Sequence, residues 1–227
     1  SVLRSFFFLL KDRPNLVFGM GGYSSFPVCI AAKILRIPFI IYENNLYIGK
    51  ANKYLLPYAK KIFVSYEELQ GINKKYQTKI KVTGNIIRKE ILNFEIKSDS
   101  KKTYEKLKIL ILGGSQAAKI FAEKLPKIFK ECKDAEISLK IYQQCLPDQN
   151  KFLTSFYEDL NIDFEIFNFK NNILNYFSKI NLAITRSGSS MLAELINAKI
   201  PFISVPLPTS ADNHQLKNAI YFESKGY

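Results

Sequence analysis

The sequence predicts an α/β fold made of two successive units, each organised around a parallel sheet. Short, unbroken apolar runs rich in Ile, Leu, Val and Phe alternate with helical stretches along the chain. Strands buried on both faces read this way, because crossover helices cover both sides of a parallel sheet. The alternation stops over the polar stretch 94–104, which contains Lys97-Ser98-Asp99-Ser100-Lys101-Lys102, and then starts afresh. That break predicts an interdomain linker, with one domain over residues 1–93 and a second over 105–227.

In the first domain the expected strands are Asn15–Gly19, Pro38–Tyr42, Lys61–Ser65 and Ile80–Thr83. Helices are expected over Phe26–Arg36 and Gly49–Tyr58. The second domain is expected to hold strands Leu107–Leu112, Ser138–Tyr142, Asp163–Phe167, Leu182–Thr185 and Phe202–Val205. Its helices are placed at Gln116–Glu131 and from near Asn171, Ser190 and Ala211. The chain opens and closes inside apparent elements and has no Met at position 1, which predicts a fragment whose first domain lacks its beginning. Two such units facing each other leave a cleft at the carboxyl ends of their strands, where open α/β sheets bind ligands.

Composition narrows the function classes. At 47% hydrophobic and 23% charged residues, with 18 Phe and 13 Tyr, the chain is globular and not disordered. Its net charge of +13 has two readings: lysines that merely solvate helix faces, or attraction to an anionic membrane surface. No helix-turn-helix, zinc-finger or aromatic RNA-binding motif occurs, so nucleic acid is not an expected partner. Cys29, Cys132 and Cys145 have no metal-ligand spacing and read as reduced, buried thiols of a cytoplasmic protein. His214 is the only histidine, so no multi-histidine metal site and no cofactor are expected. No apolar run approaches the roughly 20 residues that span a bilayer.

Five junctions carry chemistry. Gly113-Gly114-Ser115-Gln116 follows a strand and opens a helix, where free N–H groups and the helix dipole favour an anion such as phosphate. A plain turn with Ser115 as N-cap fits the same residues. The run from Arg186 through Ser187, Gly188, Ser189, Ser190, Met191, Leu192 and Ala193 to Glu194 is a second strand-to-helix junction. There Glu194 suits either a ribose diol or the helix dipole. The loop Pro206–Gln215 is dense in amides that suit sugar hydroxyls, and His214 within it is a capping residue or a base. Gly19-Met20-Gly21-Gly22-Tyr23 has Ser24 where a dinucleotide fingerprint needs glycine, so a nicotinamide cofactor is not expected. Tyr42-Glu43-Asn44-Asn45 closes a buried strand with polar groups, as a turn or as part of a site.

Taken in order, these junctions resemble the MurG family of glycosyltransferases, which has the GT-B fold. The family pattern G-x-G-G-Y-x-S-x-P appears as Gly19–Pro27, H-E-Q-N as Tyr42–Asn45, and G-N-P-x-R as Gly84–Arg88. G-G-S-Q-G-A appears as Gly113–Ala118, R-S/A-G-A-x-T-x-x-E as Arg186–Glu194, and D-x-x-Q-x-x-N-A as Asp212–Ala219. The resemblance implies two Rossmann-like domains facing a cleft. It implies an inverting transfer of N-acetylglucosamine from UDP-N-acetylglucosamine to the muramoyl 4-hydroxyl of an undecaprenyl-diphosphate-linked MurNAc-pentapeptide. By position, Ser115 together with Arg88 contacts the donor diphosphate, and the loop Ser189 to Glu194 holds the nucleotide, with Glu194 on the ribose; Gln116 and Arg186 are further expected substrate-binding residues. Lys170 falls where the family binds uracil through its backbone, and His214 and Gln215 read the sugar. Tyr23 and Asn45 face the acceptor, with Glu43 a local candidate for the base.

The chain departs from the pattern at several points. Tyr42 replaces the family histidine, Phe26 and Ala117 replace glycines, and Ala122 stands where asparagine is common. H-Q-S/T-G appears as Gln143–Leu146, and the N-terminal G-G-T-G-G-H loop, which holds the family's main base, does not occur in these residues. The chain alone is therefore expected to lack part of its active site. A lipid-linked acceptor implies a peripheral protein on the cytoplasmic, anionic face of the bacterial inner membrane. Phe6, Phe7, Phe8, Leu9 and Leu10, beside Arg4, Lys11 and Arg13, are the candidate docking patch. Another GT-B UDP-sugar enzyme, or a non-catalytic UDP-sugar-binding homologue, are the alternatives; Tyr42 and Phe26 favour the latter.

Overall fold

The computed structural model describes residues 1–94, 105–170 and 172–227, without the side chains of 115–118 and 211. Most of the expected linker 94–104 and the helix start near Asn171 lie outside the described residues. The described chain packs into two compact units, Ser1–Ile86 with Pro208–Tyr227, and Ile87–Leu207.

The first unit opens with α1 (Val2–Asp12), β1 (Val17–Gly19), α2 (Gly22–Ile34), β2 (Phe39–Glu43), α3 (Lys50–Leu55) and β3 (Lys61–Val64). A short 3-10 turn, Lys74–Lys79, leads into β4 (Ile80–Val82). The four strands are parallel and lie in sequence order. α2 starts earlier than the expected Phe26. Gly21 and Gly22 have φ of 79° and 74°, an entry that glycine makes without strain, and the Ser25 hydroxyl donates to Gly21 O at 2.7 Å. α1 buries Leu9 in the core with Cys29, Ile41 and Leu55, while Leu3, Phe7, Phe8 and Leu10 stay exposed. At 100° per residue those apolar side chains cannot all reach one core.

The second unit holds α4 (Lys89–Leu92), β5 (Leu107–Leu112), α5 (Gly114–Asp134), β6 (Leu139–Gln144), α6 (Asn150–Asp159), β7 (Asp163–Phe167), α7 (Leu174–Phe177), β8 (Leu182–Arg186), α8 (Ser189–Asn197) and β9 (Phe202–Val205). α6 had no counterpart in the sequence reading. The parallel sheet has the order β7-β6-β5-β8-β9. Alternate residues of β5 feed two cores: Ile109 and Ile111 meet Phe121, Phe129 and Tyr157, while Leu110 and Leu112 meet Tyr142, Phe177 and Leu195. A strand's period of two makes this split, which is why the run is apolar throughout.

α9 (His214–Ser224) follows, after a 3-10 turn at Ala211–Asn213. It packs with the first unit, although in sequence it continues the second domain expected over 105–227. Its Tyr221 and Phe222 rings lie 5.0 and 5.9 Å from that of Tyr66. Tyr221 and Lys225 both donate to Glu68, each at 3.1 Å. Among the described residues no helix is long and apolar enough to cross a membrane.

Candidate functional site

In the second unit the strand order reverses direction at β5 and β8, which pair along Ile109–Leu112 and Leu182–Thr185. Ligands of open α/β sheets bind outside the carboxyl ends of the strands at such a switch point. Both glycine-rich junctions stand there. Gly114 opens α5 with φ 57°, and its N–H donates to Gln144 Oε1 at 3.1 Å. A Cβ at Gly114 would lie 3.6 Å from Nη1 of Arg186, so the guanidinium leaves β8 and lies against this turn. Burial holds the Arg186 pKa below its ordinary value, and its Nε has no hydrogen-bond partner among the described residues. A partly buried cation beside a helix start is set up to receive an anion. The side chains of Ser115 and Gln116 lie outside the described residues.

α8 begins at the end of β8. Ser189, Leu192 and Ala193 are buried in it and Met191 packs on the core, so Leu192 and Ala193 can offer a ligand only backbone. Glu194 is mostly buried as well, its side chain 10% exposed. It does not stand alone. Arg88, at the start of α4, donates from Nε to Oε1 at 2.9 Å and from Nη2 to Oε2 at 2.8 Å. This two-pronged bond raises the Arg88 pKa. The two positions assigned from sequence to diphosphate and to ribose are thus in direct contact.

Lys170 has a local partner. Its ammonium bonds Glu165 Oε1 at 2.6 Å, and this bond, with a smaller contribution from Tyr176, raises its pKa. The side chain is occupied on the outside of β7, which leaves the backbone of its loop for a ligand. Gln144, the matching glutamine of the H-Q-S/T-G counterpart but not one of the expected site residues, donates from Nε2 to Asn168 O at 3.1 Å while holding Gly114. It therefore ties the glycine turn to the loop before Lys170. Its place at the end of β6 was the available signal.

In the first unit the carboxyl end of β2 is a dense polar network. Glu43 is 3% exposed. Its Oε1 accepts from the N–H and Nδ2 of Asn45, and its Oε2 from Gly49 N and Asn52 Nδ2, at 2.9–3.3 Å. A carboxylate offers about four lone-pair positions, and all are taken. The geometry gives Glu43 the task of shaping the Asn44–Gly49 loop; it has no acceptor left to take a substrate proton. Tyr42, in the histidine position, is equally engaged: its hydroxyl meets Ser65 Oγ at 2.7 Å, donates to Gly84 O at 3.2 Å and accepts from Ile86 N at 3.1 Å.

Asn45 is held from α9. Asn218, fully buried, donates to Asn45 Oδ1 at 3.2 Å and accepts from Leu46 N at 3.3 Å. Asn52 and Asn218 were not among the expected site residues; Asn218 is the asparagine of the D-x-x-Q-x-x-N-A pattern, whereas the position of Asn52 inside a helix gave no sign that its amide would reach a strand end. Around this network lies a cavity of about 230 Å³ lined by Met20, Tyr23, Asn45, Lys50, Asp212 and His214. Tyr23 is 93% exposed at its rim. Asp212 and Asn213, with φ of 52° and 53°, turn the chain sharply before His214. Gln215 is buried, its N–H donating to Ser210 Oγ at 3.4 Å.

Comparison with known proteins gives a consistent result. A model of the glycosyltransferase family 28 C-terminal domain matches residues 108–227, and one of the family's N-terminal domain matches residues 1–64. A Pelagibacter ubique protein named UDP-N-acetylglucosamine–N-acetylmuramyl-(pentapeptide) pyrophosphoryl-undecaprenol N-acetylglucosamine transferase is 38% identical over 100% of this chain and 62% of its own length. A Rickettsia felis protein of the same name is 37% identical over 96% of this chain and 63% of its own length. The chain thus spans about 62% of the length of such relatives. Among solved structures, Acinetobacter baumannii MurG superposes with a TM-score of 0.75 at 28% identity, covering 100% of this chain and 63% of that one. A Neisseria meningitidis UDP-GlcNAc 2-epimerase bound to UDP-GlcNAc gives 0.60 at 16% identity, covering 100% and 73%, a likeness of fold. The two-sheet α/β architecture is of the expected GT-B type.

Proposed function

This chain belongs to glycosyltransferase family 28, and we propose that it is the larger part of an enzyme that moves N-acetylglucosamine from UDP-N-acetylglucosamine to a lipid-linked muramoyl acceptor. The observation that carries the proposal is the Arg186 guanidinium, partly buried and held against the Gly113–Gly114 helix start. A diphosphate supplies the anion this arrangement is built for. Arg88, Ser115 and Gln116 add donors to it, Glu194 takes the ribose, and the backbone near Lys170 takes uracil. His214 and Gln215 recognise the sugar. In the reaction the muramoyl 4-hydroxyl attacks C1, its proton passes to a base, and the C1–oxygen bond to UDP breaks with inversion. The base is not Glu43, whose acceptors are all occupied; Glu43, Asn45 and Tyr23 shape the acceptor side.

The exposed face of α1 serves as a membrane dock. Leu3, Phe7 and Leu10 form one apolar stripe with Arg4 and Lys11 beside it, an arrangement suited to the anionic cytoplasmic face of the inner membrane. Titration of the full-length protein with UDP and with uridine tests the donor site. Arg186→Met is expected to weaken UDP roughly 10–100-fold, the range of a lost charge-assisted contact, and to leave uridine unchanged. A full-length protein that ignores UDP, or a variant that binds it normally, refutes the proposal. Sedimentation with vesicles containing or lacking anionic lipid tests the dock, which predicts stronger binding to the anionic ones.

A further inference from the structure

Two side-chain amides of the first unit have their orientation dictated by their neighbours. The Leu46 N–H donates to Asn218 Oδ1 at 3.3 Å, Asn218 Nδ2 donates to Asn45 Oδ1 at 3.2 Å, and Asn45 Nδ2 donates to Glu43 Oε1 at 3.3 Å. A backbone N–H can only give a hydrogen bond, and a carboxylate can only accept one. The three bonds therefore run one way. Turning either amide over sets oxygen against oxygen at one contact and N–H against N–H at another. We propose that Asn218 is a positioning residue for glycosyl transfer, which fixes the edge that Asn45 presents to the acceptor sugar. The inference rests on the reading above, that Asn45 faces the acceptor.

Asn45 lines the cavity of about 230 Å³, whereas Asn218 is fully buried and acts only through Asn45. An amide has two N–H groups and two lone pairs. With one of each engaged by Glu43 and Asn218, one N–H and one lone pair are left for the cavity. A hydroxyl matches that edge, because it can accept from the N–H and donate to the oxygen. A phosphate or carboxylate oxygen can use only half of it. An amide that turned freely would have to be ordered by the substrate itself, which weakens binding. Asn218 is steady enough for the task, since the Tyr221 and Phe222 rings of its helix pack on Tyr66.

Asn218→Asp separates this role from packing. The aspartate has nearly the shape of asparagine and still accepts from Leu46 N, but it sets a bare oxygen against Asn45 Oδ1. Its protonated form restores a donor at that contact. Burial raises the pKa of a carboxyl at this position, and the charge of Glu43 beyond Asn45 raises it further. The other titratable groups around it are Tyr47 on the loop and His214, Lys217 and Tyr221 on α9. They are the same in wild type and cancel in the ratio of variant to wild type.

The test is steady-state transfer by the full-length protein from UDP-N-acetylglucosamine to a lipid-linked muramoyl acceptor, with melting curves to confirm that each variant is folded. At about pH 8 the kcat/KM of Asn218→Asp for the acceptor is expected roughly tenfold below wild type, and the ratio is expected to recover as pH falls toward about 6. In an Asn45→Ala background, Asn218→Asp and Asn218→Ala should each change kcat/KM by less than about twofold, because no amide is left to orient. A loss that ignores pH, or one of the same size with and without the Asn45 amide, overturns the positioning role. If Asn218→Asp does not fold, the cycle of Asn218→Ala and Asn45→Ala decides by the same criterion. A pH-restored loss that falls on the KM of the donor instead keeps the positioning role and defeats the acceptor reading.

Discussion

Tyr42→Phe removes one oxygen atom and no packing volume, so its effect isolates the hydroxyl. That oxygen holds one proton and accepts two bonds, and it meets Ser65 Oγ, Gly84 O and Ile86 N. Ser65 keeps an alternative in Asn44 Oδ1 at 3.3 Å. Gly84 O and Ile86 N lose a partner inside the protein, and Ile86, more than half exposed, recovers part of its loss from water. At about 1 kcal/mol per net bond, with a further fraction for the partly buried carbonyl, the substitution should cost roughly 1.5–2.5 kcal/mol. For a chain of this size that corresponds to a fall in Tm of about 4–8 °C. Urea denaturation and calorimetry of wild type and variant measure it, with the urea slope expected to stay constant because the buried area does not change. A loss below about 0.5 kcal/mol would refute the reasoning, since it would mean that water already serves these groups.

Glu43→Gln sets an amide N–H₂ against N–H donors and leaves two of them without a partner, so it should destabilise the chain by roughly 2–3 kcal/mol in urea. A variant of normal stability that has lost transferase activity alone would restore Glu43 as a base. Gly114→Ala, at φ 57°, should cost about 1–2 kcal/mol of backbone strain and weaken UDP through the methyl group beside Arg186, as calorimetry and titration would show. The Glu165 carboxyl lies below its ordinary value, first through Lys170 and then through Tyr176. A depressed folded value stabilises above the unfolded value and is lost as pH falls through the folded one. The Tm difference between wild type and Lys170→Met should therefore be present at pH 7 and shrink toward pH 3; a difference that grows on acidification would contradict the pairing.

The alternating apolar runs determined the fold class by themselves. A strand such as Leu107–Leu112, apolar at every position, has no stable home except between two layers, and the structure fills both its faces. The glycine junctions were legible for a similar reason, since close approach at the head of a helix demands residues without bulk. Tertiary structure alone decided who meets whom. Arg88 and Glu194 stand 106 positions apart, and nothing local says that their charges face each other. Asn218 reaches Asn45 because the last helix docks on the first unit, a packing that sequence order conceals. Glu43, which reads as a free acid at the end of a strand, has its lone pairs taken by a loop that folds back over it. Periodicity records which faces avoid water, whereas a hydrogen bond or an ion pair depends on distances that exist only once the chain has closed on itself.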